Sequence, residues 1–200
     1  MSTRTLFASS AIALAVAASA NANFAVNGDF ETGDTTGWQY FPTTGSTFTA
    51  VSDANSGAFG AELFNNAPAS AAVIKQANVG MGSVNPGDTI NISFAAKGSF
   101  AAGGVAFAEF FTELAGGGVS SSEILGGAPL ALTSDWQTFN FTTTAGPDTS
   151  GGITLQLTAT TGAAAGSTAV VFYDDIVITP TPGTAGVLGI AGLAAMRRRR

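Results

Sequence analysis

Between residues 24 and 179 the chain alternates apolar and polar positions in short stretches separated by clusters of turn residues. In residues 89–97, Ile90, Ile92 and Phe94 fall on one side, with Asn91, Ser93 and Lys97 on the other. Ile153, Leu155 and Leu157 alternate with Thr154, Gln156 and Thr158, and Phe139 and Phe141 alternate with Thr138 and Asn140. A period of two with one apolar side predicts antiparallel strands that bury one face. The same reading predicts strands at 24–31, 38–40, 48–51, 61–64, 71–79, 105–114 and 169–178. Turn signals such as Asn85-Pro86-Gly87-Asp88, Gly116-Gly117-Gly118 and Gly146-Pro147-Asp148 punctuate them. About ten short strands in one domain predict an all-β, jelly-roll β-sandwich. No repeat at a period of 20 to 50 residues argues for a solenoid or propeller.

The two ends break this pattern. Residues 1–22 read as a secretory signal peptide, a signal helix with Arg4 before an apolar stretch and Ala20-Asn21-Ala22 as an A-x-A cleavage site. The β domain then occupies 24–179, and 180–200 form a tail. That tail runs Pro180-Thr181-Pro182-Gly183, then an apolar segment at 185–196, then Arg197, Arg198, Arg199 and Arg200. The apolar segment is a short hydrophobic helix of about 18 Å, well under the ~30 Å hydrocarbon core, so it predicts transient or short membrane insertion before processing; the alternative is an uncleaved short anchor.

Charge and composition narrow the chemistry. The β domain holds Lys75 and Lys97 against all thirteen carboxylates, a net of −11, which excludes nucleic acid as a partner. The chain contains no cysteine and no histidine. Disulfides, thiolate metal sites, the usual triad base and the commonest general acid–base are therefore gone. A non-catalytic protein is expected.

Four stretches carry a resemblance. Asn27-Gly28-Asp29-Phe30-Glu31-Thr32-Gly33 followed by Thr36-Gly37-Trp38, Gln76 with Asn85-Pro86-Gly87-Asp88-Thr89 and Ser93-Phe94-Ala95-Ala96-Lys97, Trp136-Gln137-Thr138-Phe139-Asn140-Phe141, and Phe172-Tyr173-Asp174-Asp175-Ile176 resemble, in order, the CenC-type carbohydrate-binding modules of the galactose-binding-like jelly-roll superfamily. Ile90 departs from it, since the family usually has an aromatic there. The resemblance implies one structural calcium between the first and last strands, with Asp29, Glu31, Asp174 and Asp175 as candidate ligands. Calcium takes several hard oxygen ligands, and carboxylates converging without a cation would repel. The alternative is that these side chains satisfy turn amides at strand ends.

A sugar platform needs aromatic faces beside hydrogen-bonding groups. Trp38 and Trp136 match positions that are packed in the family, so a buried strand role is expected for both. On the strand 105–114, Val105, Phe107, Glu109, Phe111 and Glu113 share one side, which must be the wet one because two buried carboxylates would be costly. Phe107 and Phe111, about 13 Å apart along a strand, suit two stacked sugars. Phe107, Glu109 and Phe111, with Gln76 and Gln156, are the candidate ligand-binding residues; Asn91 and Tyr173 are further hydrogen-bonding candidates. The alternative places both phenylalanines under a loop or in the core. Glu109 and Glu113 face the same way and lie too far apart for a glycosidase pair, whose carboxylates are about 5–9.5 Å apart across a cleft.

The tail resembles the PEP-CTERM class of bacterial C-terminal sorting signals, processed by an exosortase-like enzyme, although Pro180-Thr181-Pro182 stands where Pro-Glu-Pro is usual. Pro180, Pro182, Gly183 and Arg197–Arg200 are its signal residues. The sequence thus predicts an exported β-sandwich sorted to a bacterial cell envelope, surface or matrix, contacting polysaccharide. The alternative is a structural envelope or biofilm protein with no discrete ligand.

Overall fold

Ten strands form where the alternation predicts a buried face, with one addition and one loss. A computed structural model of the protein describes residues 22–181. The strands are β1 (Gln39–Phe41), β2 (Thr47–Val51), β3 (Gly60–Asn65), β4 (Ala71–Val79), β5 (Thr89–Ala101), β6 (Val105–Glu113), β7 (Val119–Ile124), β8 (Gln137–Thr144), β9 (Ile153–Thr160) and β10 (Thr168–Thr181), with a single 3-10 turn at Leu125–Gly127. They make two antiparallel five-stranded sheets, ordered β1-β4-β9-β6-β7 and β2-β3-β10-β5-β8. The protein is a jelly-roll β-sandwich. No helix of the described residues is long and apolar enough to cross a membrane.

The core is the facing alternation of the two sheets. Ile74 of β4, Ala106, Ala108 and Phe110 of β6, and Ile153, Leu155 and Leu157 of β9 are buried from the first sheet. From the second come Leu63, Ile90, Ile92, Phe94, Val171 and Tyr173. Phe94 sits among rings, 5.6 Å from Phe139 and 5.9 Å from each of Phe141 and Tyr173.

A register shift between Asp174 and Val177 changes the parity of β10, so that Ala169, Val171 and Tyr173 point inward before it and Ile176 and Ile178 after it. The Tyr173 hydroxyl is buried without a hydrogen-bond partner, and burial raises its pKa beyond the ordinary phenol range. Removing an unpaired buried hydroxyl while keeping the ring relieves a desolvation penalty. Tyr173→Phe is therefore expected to be neutral or to stabilise the fold by up to about 1–2 kcal/mol, read as the midpoint of urea unfolding. A loss of that size would mean that the hydroxyl has a partner.

Residues 24–31 do not form a strand. Asn27 and Phe30 have φ of 49° and 53°, and the segment coils through turns, with the Gly33 N–H donating to the Phe30 carbonyl. It still runs beside β10. The Phe24 N–H donates to the Ile178 carbonyl (2.8 Å), and the Ile176 N–H to the Gly28 carbonyl (2.9 Å). Phe30 enters the core and stacks on Trp38 at 5.8 Å. Strand β7 is the addition: Val119-Ser120-Ser121-Ser122-Glu123-Ile124 has no apolar side to announce it.

At the other end β10 runs to Thr181, two residues past the boundary expected at 179. Pro180 is a buried strand residue opposite Ile90, not the first residue of a tail. Its lack of an N–H costs no ladder bond. The Ile178 N–H, two residues earlier and on the same side, turns away from β5 to Asn23 Oδ1 (2.9 Å). The signal peptide 1–22, apart from Ala22, and Pro182, Gly183, the apolar segment 185–196 and Arg197–Arg200 lie outside the described residues.

Candidate functional site

The outward face of the first sheet gathers residues that are far apart in sequence into rows. Gln39 pairs with Lys75, Lys75 with Gln156, Gln156 with Glu109, and Glu109 with Ile124, so one row of side chains crosses all five strands. A second row runs Phe41, Val73, Thr158, Phe107. On the other side of the first row lie Thr154, Phe111 and Ser122. The burial of β6 alternates without a break: Val105, Phe107, Glu109, Phe111 and Glu113 are half-exposed, and Ala106, Ala108, Phe110 and Thr112 are buried. Phe107 and Phe111 therefore stand at the two ends of a polar strip centred on Glu109.

Hydrogen bonds hold that strip. Gln156 Nε2 donates to Glu109 Oε2 (2.7 Å), and Thr154 Oγ1 to Glu113 Oε1 (2.8 Å). Lys75 Nζ lies 5.0 Å from the centre of the Phe41 ring, a cation–π contact that keeps the ammonium on this face. Each carboxylate keeps further lone pairs toward solvent, where it can accept from hydroxyl donors.

Gln76 does not join this face. It is in phase with Ala72 and Ile74, is buried, and clamps the N-terminal segment: its Oε1 accepts from the Val26 N–H (2.9 Å) and its Nε2 donates to the Val26 carbonyl. Tyr173 is equally ruled out by burial, and Asn91 sits on the outer side of the other sheet, accepting from Thr142 Oγ1 (3.0 Å). Trp38 is buried and its Nε1 donates to the Asn27 carbonyl (3.2 Å). Trp136 is only half-buried, on the outside of the second sheet, where Lys97 Nζ lies 5.1 Å from its ring centre and 5.2 Å from that of Phe172. Lys97 also pairs with Asp53 at 2.7 Å.

The four carboxylates named for calcium are not brought into one group; no cluster of three or more His, Cys, Asp or Glu side chains is placed to hold a metal among the described residues. Glu31 Oε1 accepts from the Ala58 and Phe59 N–H groups (2.8 and 2.9 Å). Asp174 is fully buried under the loop 52–59. Its Oδ2 accepts from the Asn55 and Ser56 N–H groups (2.8 and 3.0 Å), and its Oδ1 from the Asp175 N–H (2.7 Å). Asp175 accepts from Ser56 Oγ (2.7 Å) and Asn55 Nδ2 (2.8 Å), with its own backbone at φ 51°. Asp29 is exposed and caps its own turn, accepting from the Glu31 N–H at 3.4 Å. As placed, Glu31 Oε1 and both oxygens of Asp174 and Asp175 accept from N–H or O–H groups.

Burial lifts the Asp174 pKa above the ordinary carboxylate value of 3.8; the N–H groups of Ser56, Asp175 and Asn55 oppose the shift, and the charge of Asp175 adds to it. Because the folded pKa is the higher one, the folded protein keeps this proton over a range of pH where the unfolded chain has released it. The contribution of Asp174 to stability is then largest below the unfolded pKa and falls as pH rises through the folded one. Unfolding midpoints measured upward from pH 3.8 should therefore show a downward component in the wild type that Asp174→Asn lacks. Parallel pH profiles for the two proteins would contradict it.

No family model matches the chain, and no curated protein matches it. Solved structures do match in fold. The xylan-binding CBM22-1 domain from Paenibacillus barcinonensis Xyn10C is similar at a TM-score of 0.56 and 14% identity, over 78% of this chain and 92% of that one. A family 16 carbohydrate-binding module-2 matches at 0.52 and 20% identity, over 78% and 99%. The enzymatically active domain of bacteriophage CBA120 tailspike protein 4 matches at 0.61 and 14% identity, over 80% of this chain but only 21% of that one. At these identities the likeness is one of fold, and the chain spans about a fifth of the tailspike chain.

Proposed function

We propose that this protein is an exported, non-catalytic glycan-binding module, and that the outward face of the sheet β1-β4-β9-β6-β7 holds an extended polysaccharide chain. The observation that carries this reading is the register: it lines up Gln39, Lys75, Gln156 and Glu109 as one polar row with Phe107 and Phe111 on either side. The rings would stack on sugar faces, and Glu109, Glu113, Gln156 and Lys75 would bond their hydroxyls. Similarity to structures titled as carbohydrate-binding modules supports the reading at the level of fold. Glu109 and Glu113 lie four residues apart on one face of one strand, about 13 Å, which suits binding rather than hydrolysis. The test is a glycan array followed by affinity electrophoresis in gels containing the best hit. Wild type should be retained and Phe111→Ala should migrate ahead of it; equal migration, or no hit, favours the alternative of a structural envelope or biofilm protein with no discrete ligand.

The tail belongs to the same proposal. Residues 180–200 would direct the exported domain to an exosortase-like enzyme, with 185–196 engaging the membrane briefly and Arg197–Arg200 holding the end on the cytoplasmic side. Intact-mass measurement on surface-extracted protein tests this, since retention of Arg197–Arg200 excludes cleavage. A structural calcium would have to displace N–H donors from Glu31 or Asp174. Because those oxygens are already engaged, chelator treatment is expected to leave the melting temperature unchanged. A clear fall, with calcium found by elemental analysis, would restore the ligand set that the family resemblance implies.

A further inference from the structure

We propose that the polysaccharide held by the sheet β1-β4-β9-β6-β7 carries free amino groups: a linear hexosamine chain that is at least partly unacylated. The ligand class rests on the glycan-binding reading of that face and narrows it. The domain holds thirteen carboxylates against two lysines, a net of −11, so its field draws cations and repels acidic polymers. On the face itself Glu109 and Glu113 stand two residues to either side of Phe111, about 7 Å each way along β6. Among the described residues the one ion pair joins Lys97 of the other sheet to Asp53, so neither glutamate has a cation beside it.

Each glutamate is oriented but not neutralised. Its one bond comes from an uncharged donor, Gln156 Nε2 to Glu109 Oε2 and Thr154 Oγ1 to Glu113 Oε1. Glu109 Oε1 and Glu113 Oε2 accept no hydrogen bond from the described residues, and both side chains are half-exposed, so solvent reaches them. A sugar stacked on Phe111 strips part of that water, because its equatorial substituents radiate from the ring edge toward both carboxylates. A hydroxyl there returns a neutral hydrogen bond. An ammonium returns a charge-assisted one, roughly twice as strong. A sugar carboxylate or sulfate would meet two like charges. The face therefore sorts sugars by the charge of the substituent beside Phe111.

Lys75 lies two strands from Glu109, about 10 Å away across the sheet. Its ammonium, held over Phe41, favours an uncharged sugar at that end, so the chain needs free amines over β6 and not at every residue. The polar row crosses five strands, about 19 Å. A straight chain fits it, and β-1,4-linked hexosamines supply one.

Three hexaoses with one β-1,4 backbone test this by isothermal titration calorimetry at about pH 5.5, where amines are protonated. They differ only at the second ring carbon: glucosamine hexaose carries an ammonium, N-acetylglucosamine hexaose an acetamide, and cellohexaose a hydroxyl. In about 0.05 M salt the glucosamine hexaose should bind roughly tenfold tighter than either of the others. Raising salt to about 0.5 M should remove most of that margin. Glu109→Gln and Glu113→Gln should each lower its affinity about tenfold, with unchanged thermal melts as the check on folding. Glu62→Gln removes the same charge from the outer side of β3, in the other sheet, and should change nothing. That control separates a site from the general attraction of a polycation to an acidic protein. Equal or tighter binding of cellohexaose or the acetylated hexaose, still weakened by Phe111→Ala, overturns the amine preference and leaves the glycan site standing. Binding of none of the three overturns the proposal too, and the glycan array then decides on the site itself. A loss as large in Glu62→Gln as in Glu109→Gln also overturns it.

Discussion

Gly28→Ala should lower the stability of the sandwich by about 3 kcal/mol, near the upper end of what one overpacked methyl does in a core. A Cβ built at Gly28 falls 2.2 Å from the Ile176 carbonyl oxygen and 3.1 Å from its carbonyl carbon. Both are backbone atoms of the central strand β10, so neither can move aside cheaply. The segment 23–30 must instead lift away. That threatens the Ile176 N–H bond to Gly28, the Phe24 N–H bond to Ile178 and the seating of Phe30 on Trp38. For a domain of this size the loss is a fall of roughly 10 °C in melting temperature. Gly82→Ala is the comparison, since nothing lies within 4 Å of its Cβ and only the backbone cost at φ 74° remains, about 1 kcal/mol. Equal melting of the two variants would show that the close approach is relieved elsewhere.

That glycine explains part of what was legible in the chain. The stretch Asn27-Gly28-Asp29-Phe30-Glu31 is conspicuous, and each member has a packing or turn role. Asn27 Nδ2 donates to the Asp34 and Thr36 carbonyls, Gly28 permits contact with β10, and Phe30 fills the core. What misled was the assumption of extended backbone. Two residues apart share a side only on a strand, and the positive φ at Asn27 and Phe30 removes that rule for Asp29 and Glu31. The bulge after Asp174 does the same at the other end. Strand faces were readable wherever one side is buried, as in β5 and β6; in β9 the expected polar side also buries Thr154 and Thr158, leaving only Gln156 and Thr160 partly exposed. They were unreadable in β7, whose inward Ser121 bonds Thr112 at 2.7 Å and whose Glu123 is exposed at the open rim. Gln76 could have been placed from sequence alone, because it keeps phase with Ala72 and Ile74. The row Gln39–Lys75–Gln156–Glu109 could not, since it depends on the register of four strands.

That row sets the second large expectation. Phe107→Ala or Phe111→Ala should weaken binding to the glycan identified on the array by roughly 10- to 100-fold, the equivalent of 1.5–3 kcal/mol for a Phe side chain buried on association. Glu109→Gln should cost about tenfold, since a charge-assisted hydrogen bond becomes a neutral one while the shape is kept. Both rings and the carboxylate are half-exposed, so the melting temperature of each variant should stay near that of wild type. Trp136→Ala is the decisive control. Trp136 is the more tempting sugar platform by residue type, but it lies on the other sheet and already stacks on Lys97. If the polar row is the site, Trp136→Ala leaves affinity untouched. If affinity follows Trp136 and ignores Phe111, the binding face is the wrong one, and glycan contact moves to the outer side of β5, β8 and β10.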